Sequence, residues 1–242
     1  MLFVLSSSRA WSDARKNSRI AERVWLAGFC GLSRSKLIHM RLLVATTNHD
    51  KVREICQLLD GIPFEIVTLR QWPDLAAPEE TGRTFEDNAR AKALYYAGAT
   101  GELTVAEDSG LEVDALHGVP GVESARFGGP DLSYPDKFAL IYDALRATGS
   151  IESGARFVCA LVLAKGDRVL FATRGTVAGR IAPEPKGAGG FGYDPIFFYP
   201  PYGQTLAEAG DRKAAVSHRG EAFRSLRRFL TEHDPTLAES QF

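Results

Sequence analysis

The sequence predicts an α/β fold in which helices cover a sheet that also contains an antiparallel hairpin, and three observations predict it. Apolar runs of strand length alternate with helical periodicity over residues 41–106. Two β-rich runs meet at a Lys-Gly-Asp turn at 165–167, and hydrophobic residues make up 45% of the chain. Alternating strands and helices are typical of a sheet with helices packed on it, and this apolar content is sufficient for a core.

The first half of the chain reads as strand–helix–strand–helix–strand. The predicted strands cover residues 41–46, 64–67 and 103–106, and the predicted helices cover residues 48–59 and 84–97. Asn48 stands where an N-cap is needed, and Val52 and Ile55 follow at helical spacing. Thr84 begins the second helix, and Asp87 three residues later completes a variant of the capping box.

The second half contributes a helix, the hairpin, one more strand and a closing helix. The predicted bounds are 136–148 for the first helix, 156–164 and 168–177 for the hairpin, 194–199 for the strand and 217–231 for the last helix. Phe223, Leu226 and Leu230 fall on one face of that last helix, which predicts that this face is buried. An antiparallel insertion in an α/β chain predicts two lobes with a cleft between them, a frequent place for a small-molecule site.

Composition excludes several classes of function. The formal net charge of −1 argues against nucleic acid as the main partner, since phosphate backbones are normally met by clustered Lys and Arg. No apolar run has the length of a membrane-spanning helix. The cysteines Cys30, Cys56 and Cys159 form no C-x-x-C pair, which predicts reduced structural thiols in a cytoplasmic protein and no zinc site.

The N-terminal segment differs in composition from the rest of the chain. The first forty residues hold seven basic and two acidic side chains, a net +5, while the remainder carries −6. We expect a poorly ordered basic extension over 1–39, a single domain with a central β-hairpin lobe over 40–233 and a C-terminal tail over 234–242. The extension is either an Arg- and Ser-rich organelle-targeting segment or an artefact upstream of a true start at Met40. We favour the start at Met40 and, with it, a cytoplasmic location.

A polar run follows the first predicted strand: Thr46-Thr47-Asn48-His49-Asp50-Lys51. It lies where a helix begins, and helix N-termini present unpaired N–H groups and a partial positive charge to anions. Thr46 and Asn48 add side-chain donors, and Lys51 lies one turn into the helix. The run predicts a phosphate-binding turn, although it is not a Walker A loop. A simple N-cap with a solvated lysine is the alternative.

Two adjacent carboxylates, Glu107 and Asp108, follow the third predicted strand and precede Ser109 and Gly110. Two such charges are costly to hold together without a cation, and carboxylate oxygens are ligands that suit Mg²⁺. The run therefore predicts a magnesium site at the end of a strand, with an Asx-type turn as the alternative. The charged segment from Glu79 to Lys92, taken by itself, reads as a loop followed by a solvated helix face.

The last two polar segments suit recognition of a purine base. Residues 187–192 match G-x-G-x-x-G, but a strand follows, which excludes a dinucleotide fingerprint because that motif must open a helix. We interpret the segment as a flexible loop that presents Phe191 to a base. Ser217, His218 and Arg219 offer hydrogen-bond donors. Such donors suit the 6-keto oxygen of a purine, which accepts, and do not suit the 6-amino group of adenine, which donates. The alternatives are a turn with core aromatics and a plain helix N-terminus capped by Ser217.

Together these motifs resemble those of the inosine triphosphate pyrophosphatase family, enzymes that act on noncanonical purine nucleotides. The matching stretches are T-T-N-x-x-K at 46–51, E-E-T-G-x-T-F-x-x-N-A-x-x-K-A at 79–93, E-D-S-G-L-x-V-D-A-L at 107–116, P-G-V-x-S-A-R at 120–126, G-G-F-G-Y-D-P-I-F at 189–197 and K-A-A-V-S-H-R-G at 213–220. They run in order over about 40–230 and leave the N-terminal extension out. Glu107 stands where the family often has aspartate, and Thr47 and Asp50 stand where the first motif is often glycine.

The resemblance implies an elongated, two-lobed α/β fold with a long mixed β-sheet flanked by helices, and a homodimer. It implies Mg²⁺-dependent hydrolysis of ITP, dITP or XTP between the α and β phosphates, giving the monophosphate and pyrophosphate. Asp108 would be catalytic, and Glu80 and Asp108 would bind the metal. The substrate-binding residues implied are Thr46, Thr47, Asn48, His49, Asp50, Lys51, Lys92, Ser109, Phe191, Gly192, Tyr193, Asp194, Lys213, His218 and Arg219.

Two other functions stay open at this point. One is a pyrophosphatase for other modified nucleotides, such as pyrimidines, which the His218-Arg219 pair argues against. The other is a nucleotide-binding regulatory module without turnover, which the carboxylates of Glu80 and Asp108 argue against, because a pure binder needs no metal to position water. The sequence also leaves open the ranking of ITP, dITP and XTP, and whether Glu107 or Glu80 accompanies Asp108 at the metal.

Overall fold

The structure, a computed structural model, describes residues 40–232, which form one seven-stranded mixed sheet with helices packed on it. The expected extension over 1–39 and tail over 234–242 lie outside the described residues. The strands are β1 (Arg41–Val44), β2 (Glu65–Thr68), β3 (Leu103–Val113), β4 (Gly154–Lys165), β5 (Arg168–Ile181), β6 (Phe197–Tyr199) and β7 (Gln204–Thr205). The helices are α1 (His49–Leu58), α2 (Phe85–Thr100), α3 (Tyr134–Ala147), α4 (Lys213–Val216) and α5 (His218–Glu232).

The sheet has the strand order β2-β1-β3-β4-β5-β6-β7 and is parallel at one end only. β1 pairs in parallel with β2 and β3, whereas the pairs from β3 to β7 are all antiparallel. The predicted hairpin is confirmed as β4 and β5, which are longer than predicted and lie in the middle of the sheet. The mixed sheet flanked by helices is therefore as the sequence predicts.

Side chains on the two faces of the sheet pack against different helices. On one face, Leu42 and Val105 pack with Phe223 and Leu226 of α5. On the other face, Leu43 packs with Ala89, Ala93 and Ala97 of α2 in a second cluster. Successive side chains of a strand point to opposite faces, so a central strand buried on both sides is mostly apolar. Among the described helices, none is long and apolar enough to cross a membrane.

Two helix caps and two strand bounds test the local predictions. The caps of α1 and α2 are confirmed: the side chain of Asn48 accepts from two backbone nitrogens, and that of Thr84 accepts from Asp87. The predicted strand over 194–199 is partly wrong, since Asp194–Ile196 forms a 3₁₀ turn before β6. The predicted strand end at residue 106 is wrong as well, because β3 continues to Val113 and pairs with β4 throughout.

The extension of β3 creates the edge on which the candidate site is built. β1 pairs with β3 only as far as Val44 and Val105. Beyond that point, within residues 40–232, no strand pairs with Glu107–Gly110 on the β1 side. The edge of β3 next to β1 is therefore open from Glu107 to Gly110. It lies directly after the C-terminal end of β1, where α1 begins, and side chains from both faces of β3 are accessible there.

The contact between α5 and β5 requires glycine at position 175. A Cβ built on Gly175 would overlap the carbonyl oxygen of His218 and would lie 2.8 Å from the backbone nitrogen of Ala222. Because both atoms belong to a helix backbone, we expect Gly175→Ala to lower the free energy of unfolding by about 1–3 kcal/mol. Urea denaturation measures this change.

Gly98→Ala is the matched control for that prediction. Gly98 lies in α2, and a Cβ built on it would meet no atom within 4 Å beyond the local helix backbone. Alanine is a better helix former than glycine, so we expect the same substitution here to raise the free energy of unfolding by about 0.5–1 kcal/mol. A Gly175→Ala variant as stable as the parent would show that α5 does not pack this closely on β5.

Candidate active site

The turn from β1 to α1 is a helix N-terminus that is capped by side chains. Asn48 Oδ1 accepts from the backbone nitrogens of Asp50 at 2.9 Å and Lys51 at 3.1 Å. Thr46 Oγ1 accepts from the backbone nitrogen of Asn48 at 3.3 Å. Lys51 is not a solvated lysine, because its Nζ lies 2.8 Å from Glu107 Oε1 and its side chain is only 17% exposed. The local geometry fits a phosphate-binding turn.

Glu80 and Asp108 form a carboxylate pair that is bridged by one lysine. Lys92 Nζ donates to Glu80 Oε1 at 2.6 Å and to Asp108 Oδ1 at 3.1 Å. Asn88 Nδ2 donates to Asp108 Oδ2 at 3.1 Å, and Arg126 Nη1 donates to Glu80 Oε2 at 2.9 Å. Lys92 and Asn88 thus belong to the site, and the interpretation of this helix face as merely solvated is wrong.

The two carboxylates differ in their affinity for protons. Burial raises the pKa of Asp108 above its ordinary value, although Lys92 opposes the change. Burial acts in the same direction on Glu80, but Lys92 and Arg126 outweigh it and lower the pKa of Glu80. Paired acids whose pKa values are pushed apart are typical of acid–base catalysis. Asp108 is the better proton acceptor of the two.

The donor set at this pair fits a magnesium ion. In the described part of the chain, no group of three or more His, Cys, Asp or Glu side chains could hold a metal. Mg²⁺, however, is usually bound by one or two carboxylates, with waters and substrate phosphates completing the octahedron. Glu80 and Asp108 supply two hard oxygen ligands, and the ammonium group of Lys92 between them marks a place where positive charge is required.

Glu107 lies apart from this carboxylate pair. Glu107 and Asp108 are consecutive residues of β3, and their side chains therefore point to opposite faces of the sheet. Glu107 lies with Lys51 and Arg219 on the α5 side. The expectation of two adjacent carboxylates side by side after a strand end is thus wrong: Glu107 and Asp108 lie in mid-strand and diverge, and Glu80 is the carboxylate that shares Lys92 with Asp108.

The glycine-rich loop presents Phe191 between two cations. Lys213 Nζ lies 4.8 Å from the centre of the Phe191 ring, and the guanidinium carbon of Arg219 lies 5.3 Å from it. The buried Asp194 Oδ2 accepts from the backbone nitrogen of Phe191 at 2.8 Å and from Lys213 at 2.7 Å. Gly190 must be glycine here, since its φ is +68° and a Cβ would overlap the carboxylate of Asp194.

The start of α5 carries both a cap and two inward-facing polar side chains. Ser217 Oγ accepts from the backbone nitrogen of Gly220 at 2.9 Å, so Ser217 is an N-cap. Arg219 is 1% exposed and donates to Ser109 Oγ at 2.9 Å. The ring of His218 stacks on Phe157, with the ring centres 4.9 Å apart. Two buried nitrogens of the site, His218 Nδ1 and Arg219 Nε, have no hydrogen-bond partner among residues 40–232, and the same is true of Arg41 Nε and Gln204 Nε2 outside it.

The predicted site residues fall into two groups and a remainder. A small cavity of about 60 Å³ is lined by Asn48, Lys51, Ser109, Phe191, Gly192, Tyr193, Asp194, Lys213, His218 and Arg219. The second group is the carboxylate pair with Lys92. The remaining side chains, those of Thr46, Thr47, His49 and Asp50, do not line the cavity, and Asp50 instead accepts from Arg53 at 2.8 Å.

The whole of this fold and site lies within one recognised sequence family. The model of the Ham1 family matches residues 42–229, which is most of the chain. The chain belongs to the Ham1 family. This confirms the resemblance that the six motifs indicate, and it leaves the N-terminal extension outside the matched region.

Two similar Ham1 relatives share one name. A dITP/XTP pyrophosphatase of an Exiguobacterium species is 48% identical over 188 residues, which cover 77% of this chain and 95% of the relative. A dITP/XTP pyrophosphatase of Thermus thermophilus is 45% identical over 188 residues, covering 77% of this chain and 90% of the relative. Among solved structures, a HAM1 protein from Coxiella burnetii superposes with a TM-score of 0.75 at 35% identity, over 81% of this chain and all of that protein.

The geometry of this Ham1 chain also contains functional candidates that its sequence does not reveal. Glu54 of α1 accepts from Arg219 Nη1 at 2.6 Å and lies 3.7 Å from Lys213 Nζ. Tyr134 lines the cavity and contacts Tyr193 edge to face, with the ring centres 5.3 Å apart. The available signal for Glu54 is its position three residues after Lys51, on the same helix face. Tyr134 offers no signal beyond its place at the start of α3.

The buried imidazole predicts acid sensitivity of this Ham1 fold. Burial, reinforced by Arg219, lowers the pKa of His218 well below its usual 6.5. Below pH 6.5 the unfolded chain takes up a proton that the folded chain does not, so protonation favours unfolding. We therefore expect the free energy of unfolding to fall between pH 7 and pH 5, with a slope from this group of at most about 1.4 kcal/mol per pH unit.

Urea denaturation of the parent and of His218→Gln at pH 7, 6 and 5 measures this slope. The difference between the two proteins isolates the imidazole, because all other titratable groups are common to both. A slope of the same size in His218→Gln would assign the acid sensitivity to another group.

Proposed function

We propose that this chain hydrolyses noncanonical purine nucleoside triphosphates, namely ITP, dITP and XTP, to the monophosphate and pyrophosphate, and so removes them from the nucleotide pool. One observation carries the proposal. Three groups meet at the open edge of β3. They are the N-terminus of α1 with Lys51, the carboxylate pair of Glu80 and Asp108, and the pocket that contains Phe191 and Arg219. The names of the relatives, dITP/XTP pyrophosphatase, support it.

The triphosphate would be held by cations and backbone donors at this edge. Thr46, Asn48 and the N-terminus of α1 supply donors, and Lys51 and Lys92 supply positive charge. Hydrolysis between the α and β phosphates adds water across one P–O bond, and pyrophosphate leaves. Asp108 would take the proton of the attacking water, while Asn88 keeps the carboxylate in one orientation. Little covalent chemistry is required of the protein, so positioning and charge neutralisation dominate.

The reaction would use Mg²⁺ held by Glu80 and Asp108. A bound Mg²⁺ supplies charge neutralisation at the phosphates and polarises a coordinated water. The two carboxylates are half-buried to buried, and one lysine already bridges them. These groups also argue against a module that only binds nucleotide.

The base would stack on Phe191 and be read by His218 and Arg219. Burial keeps the imidazole of His218 neutral, so its ring carries one N–H donor and one acceptor. Arg219 is charged and donates only. A 6-keto oxygen accepts from such donors, whereas the 6-amino group of adenine would leave buried donors unpaired. The same reading disfavours pyrimidine nucleotides as the main substrates.

Three further properties belong to the same proposal. Residues 40–233 act as a single domain, the protein forms a homodimer, and it resides in the cytoplasm. Light scattering of the full chain tests the dimer, limited proteolysis tests the domain bounds, and cell fractionation tests the location.

The test of function is release of pyrophosphate and phosphate from ITP, XTP, GTP and ATP, with and without Mg²⁺. We expect Mg²⁺-dependent pyrophosphate from ITP and XTP, with ATP spared; GTP shares the 6-keto oxygen, so its turnover shows whether the site also reads position 2 of the base. Release of single phosphates, or turnover of pyrimidine nucleotides alone, would contradict the proposal. Tight binding of ITP without turnover at any Mg²⁺ concentration would favour the binding module.

A further inference from the structure

A chain of ion pairs crosses the candidate site from the phosphate-binding turn to the base pocket. Its contacts are Lys51–Glu107 at 2.8 Å, Glu107–Arg219 at 3.2 Å, Arg219–Glu54 at 2.6 Å, Glu54–Lys213 at 3.7 Å and Lys213–Asp194 at 2.7 Å. Positive and negative side chains alternate along this series of ion pairs. Its first member lies at the N-terminus of α1, and its last members lie beside Phe191.

Glu107 is the most deeply buried carboxylate of this series of ion pairs, together with Asp194, and it contacts two cations. It is 2% exposed, and both of its carboxylate oxygens are engaged. Oε1 contacts Lys51 and Arg219, and Oε2 accepts from the thiol of Cys159 at 3.1 Å. A carboxylate so deeply buried persists as a charge only because its two cations and the thiol compensate it. Its position therefore depends on both cations together.

We propose that Glu107 is a positioning residue that couples triphosphate recognition to base recognition, by holding Lys51 and Arg219 on one buried carboxylate. The proposal rests on the proposed function and deepens it. Lys51 and Arg219 serve different ends of the substrate, and within the described residues Glu107 is the one side chain that pairs with both. Glu107 itself is not a catalytic residue, since it lies on the face of β3 opposite Asp108.

The coupling follows from the shared charge. A phosphate that binds Lys51 holds that cation in place, and with it the Glu107 carboxylate that orients Arg219. Arg219 is also fixed by Ser109, two residues along the same face of β3, so its guanidinium plane is set where Phe191 meets the base. Energetic coupling is reciprocal: a matched base strengthens the grip on the triphosphate by the same factor.

The first experiment compares Glu107→Gln with the parent and with Glu112→Gln. Glu112 lies on the same strand, and its side chain pairs with Arg156 at 3.5 Å, outside the site. We expect Glu107→Gln to lower the ratio of kcat/KM for ITP over ATP at least about tenfold, mainly through a higher KM for ITP. Glu112→Gln should leave that ratio unchanged. A Glu107→Gln variant with the parent's ratio, whatever its thermal stability, would overturn the proposal.

The second experiment tests the coupling itself. Lys51→Met should lower the ITP/ATP ratio about fivefold or more in the parent, although Lys51 serves the phosphates, which both nucleotides share. In a Glu107→Gln background, Lys51→Met should leave the ITP/ATP ratio of kcat/KM equal to that of Glu107→Gln alone. Equal fold-changes in the two backgrounds would show independent action and overturn the proposal.

Two further measurements keep the outcome decisive. If Glu107→Gln does not fold, Glu107→Asp replaces it, because aspartate retains the charge on a shorter side chain. We then expect a smaller decrease in the ratio of kcat/KM for ITP over ATP. An unchanged ratio would overturn the proposal. Equilibrium binding of ITP and ATP in the absence of metal gives the ratio of their dissociation constants, which measures the same preference for ITP without turnover. A parent that binds but does not hydrolyse ITP would therefore refute the proposed function alone, and the coupling would be judged from binding.

Discussion

Asp108→Asn should lower the turnover of ITP by about 10²–10⁴-fold while nucleotide binding persists. Asparagine has nearly the shape of aspartate but accepts no proton and carries no charge for a metal. In the proposed reaction Asp108 takes the proton of the attacking water, and Asn88 and Lys92 hold its carboxylate in place. Pyrophosphate release and equilibrium binding of ITP, measured on the same preparation, separate chemistry from binding.

Asp143→Asn serves as the control for this change. Asp143 is an exposed aspartate of α3 that pairs with Arg146 at 2.6 Å. The same substitution there should leave turnover within about twofold of the parent, because exposed pairs contribute little. Asp108→Asn with turnover like that of Asp143→Asn would remove Asp108 from the mechanism.

Arg219→Ala should lower the free energy of unfolding by about 3–5 kcal/mol, the largest stability effect we expect in the site. The guanidinium neutralises Glu107 on one side and Glu54 on the other; Arg219 and Glu107 are fully buried, and Glu54 is partly buried. Its removal leaves one buried and one partly buried carboxylate short of a partner. The variant should also lose the preference for 6-keto over 6-amino purines, which such donors support by up to about 10⁴-fold.

Arg219→Lys separates the two effects, because lysine keeps the charge but not the planar fork of donors. It should recover much of the stability and little of the selectivity. Arg228→Ala is the control, since Arg228 lies exposed on the same helix. Urea denaturation and kcat/KM for ITP and ATP measure both properties. If ATP is still rejected as strongly by Arg219→Lys and Arg219→Ala, the base is read elsewhere.

The local predictions that succeed rest on short-range chemistry. The caps of Asn48 and Thr84 involve atoms two or three residues apart, so their sequence pattern is sufficient to identify them. The hairpin is predictable because its turn and its β-branched runs are contiguous. The motifs around Phe191 and Arg219 are recognisable for the same reason, although their roles in this chain stay predictions.

The local predictions that fail rest on partners far apart in the sequence. A strand is expected to stop before Glu107, since charges seldom continue a buried strand. It continues because Arg219, 112 residues away, and Cys159, 52 residues away, compensate the carboxylate inside the sheet. Glu54 escapes prediction because its partner Arg219 lies 165 residues further on.

The sequence by itself determined most of the element types, the caps, the polar motifs and the family, and the resemblance already implied Glu80 together with Asp108. Only the tertiary structure decided which charges meet: Lys92 bridges Glu80 and Asp108, and Glu107 lies with Lys51 and Arg219 on the other face of β3. The physical reason is that backbone propensities act between near neighbours. Ion pairing depends on distances that are set when the register of β3 on β4 places its alternate side chains on opposite faces.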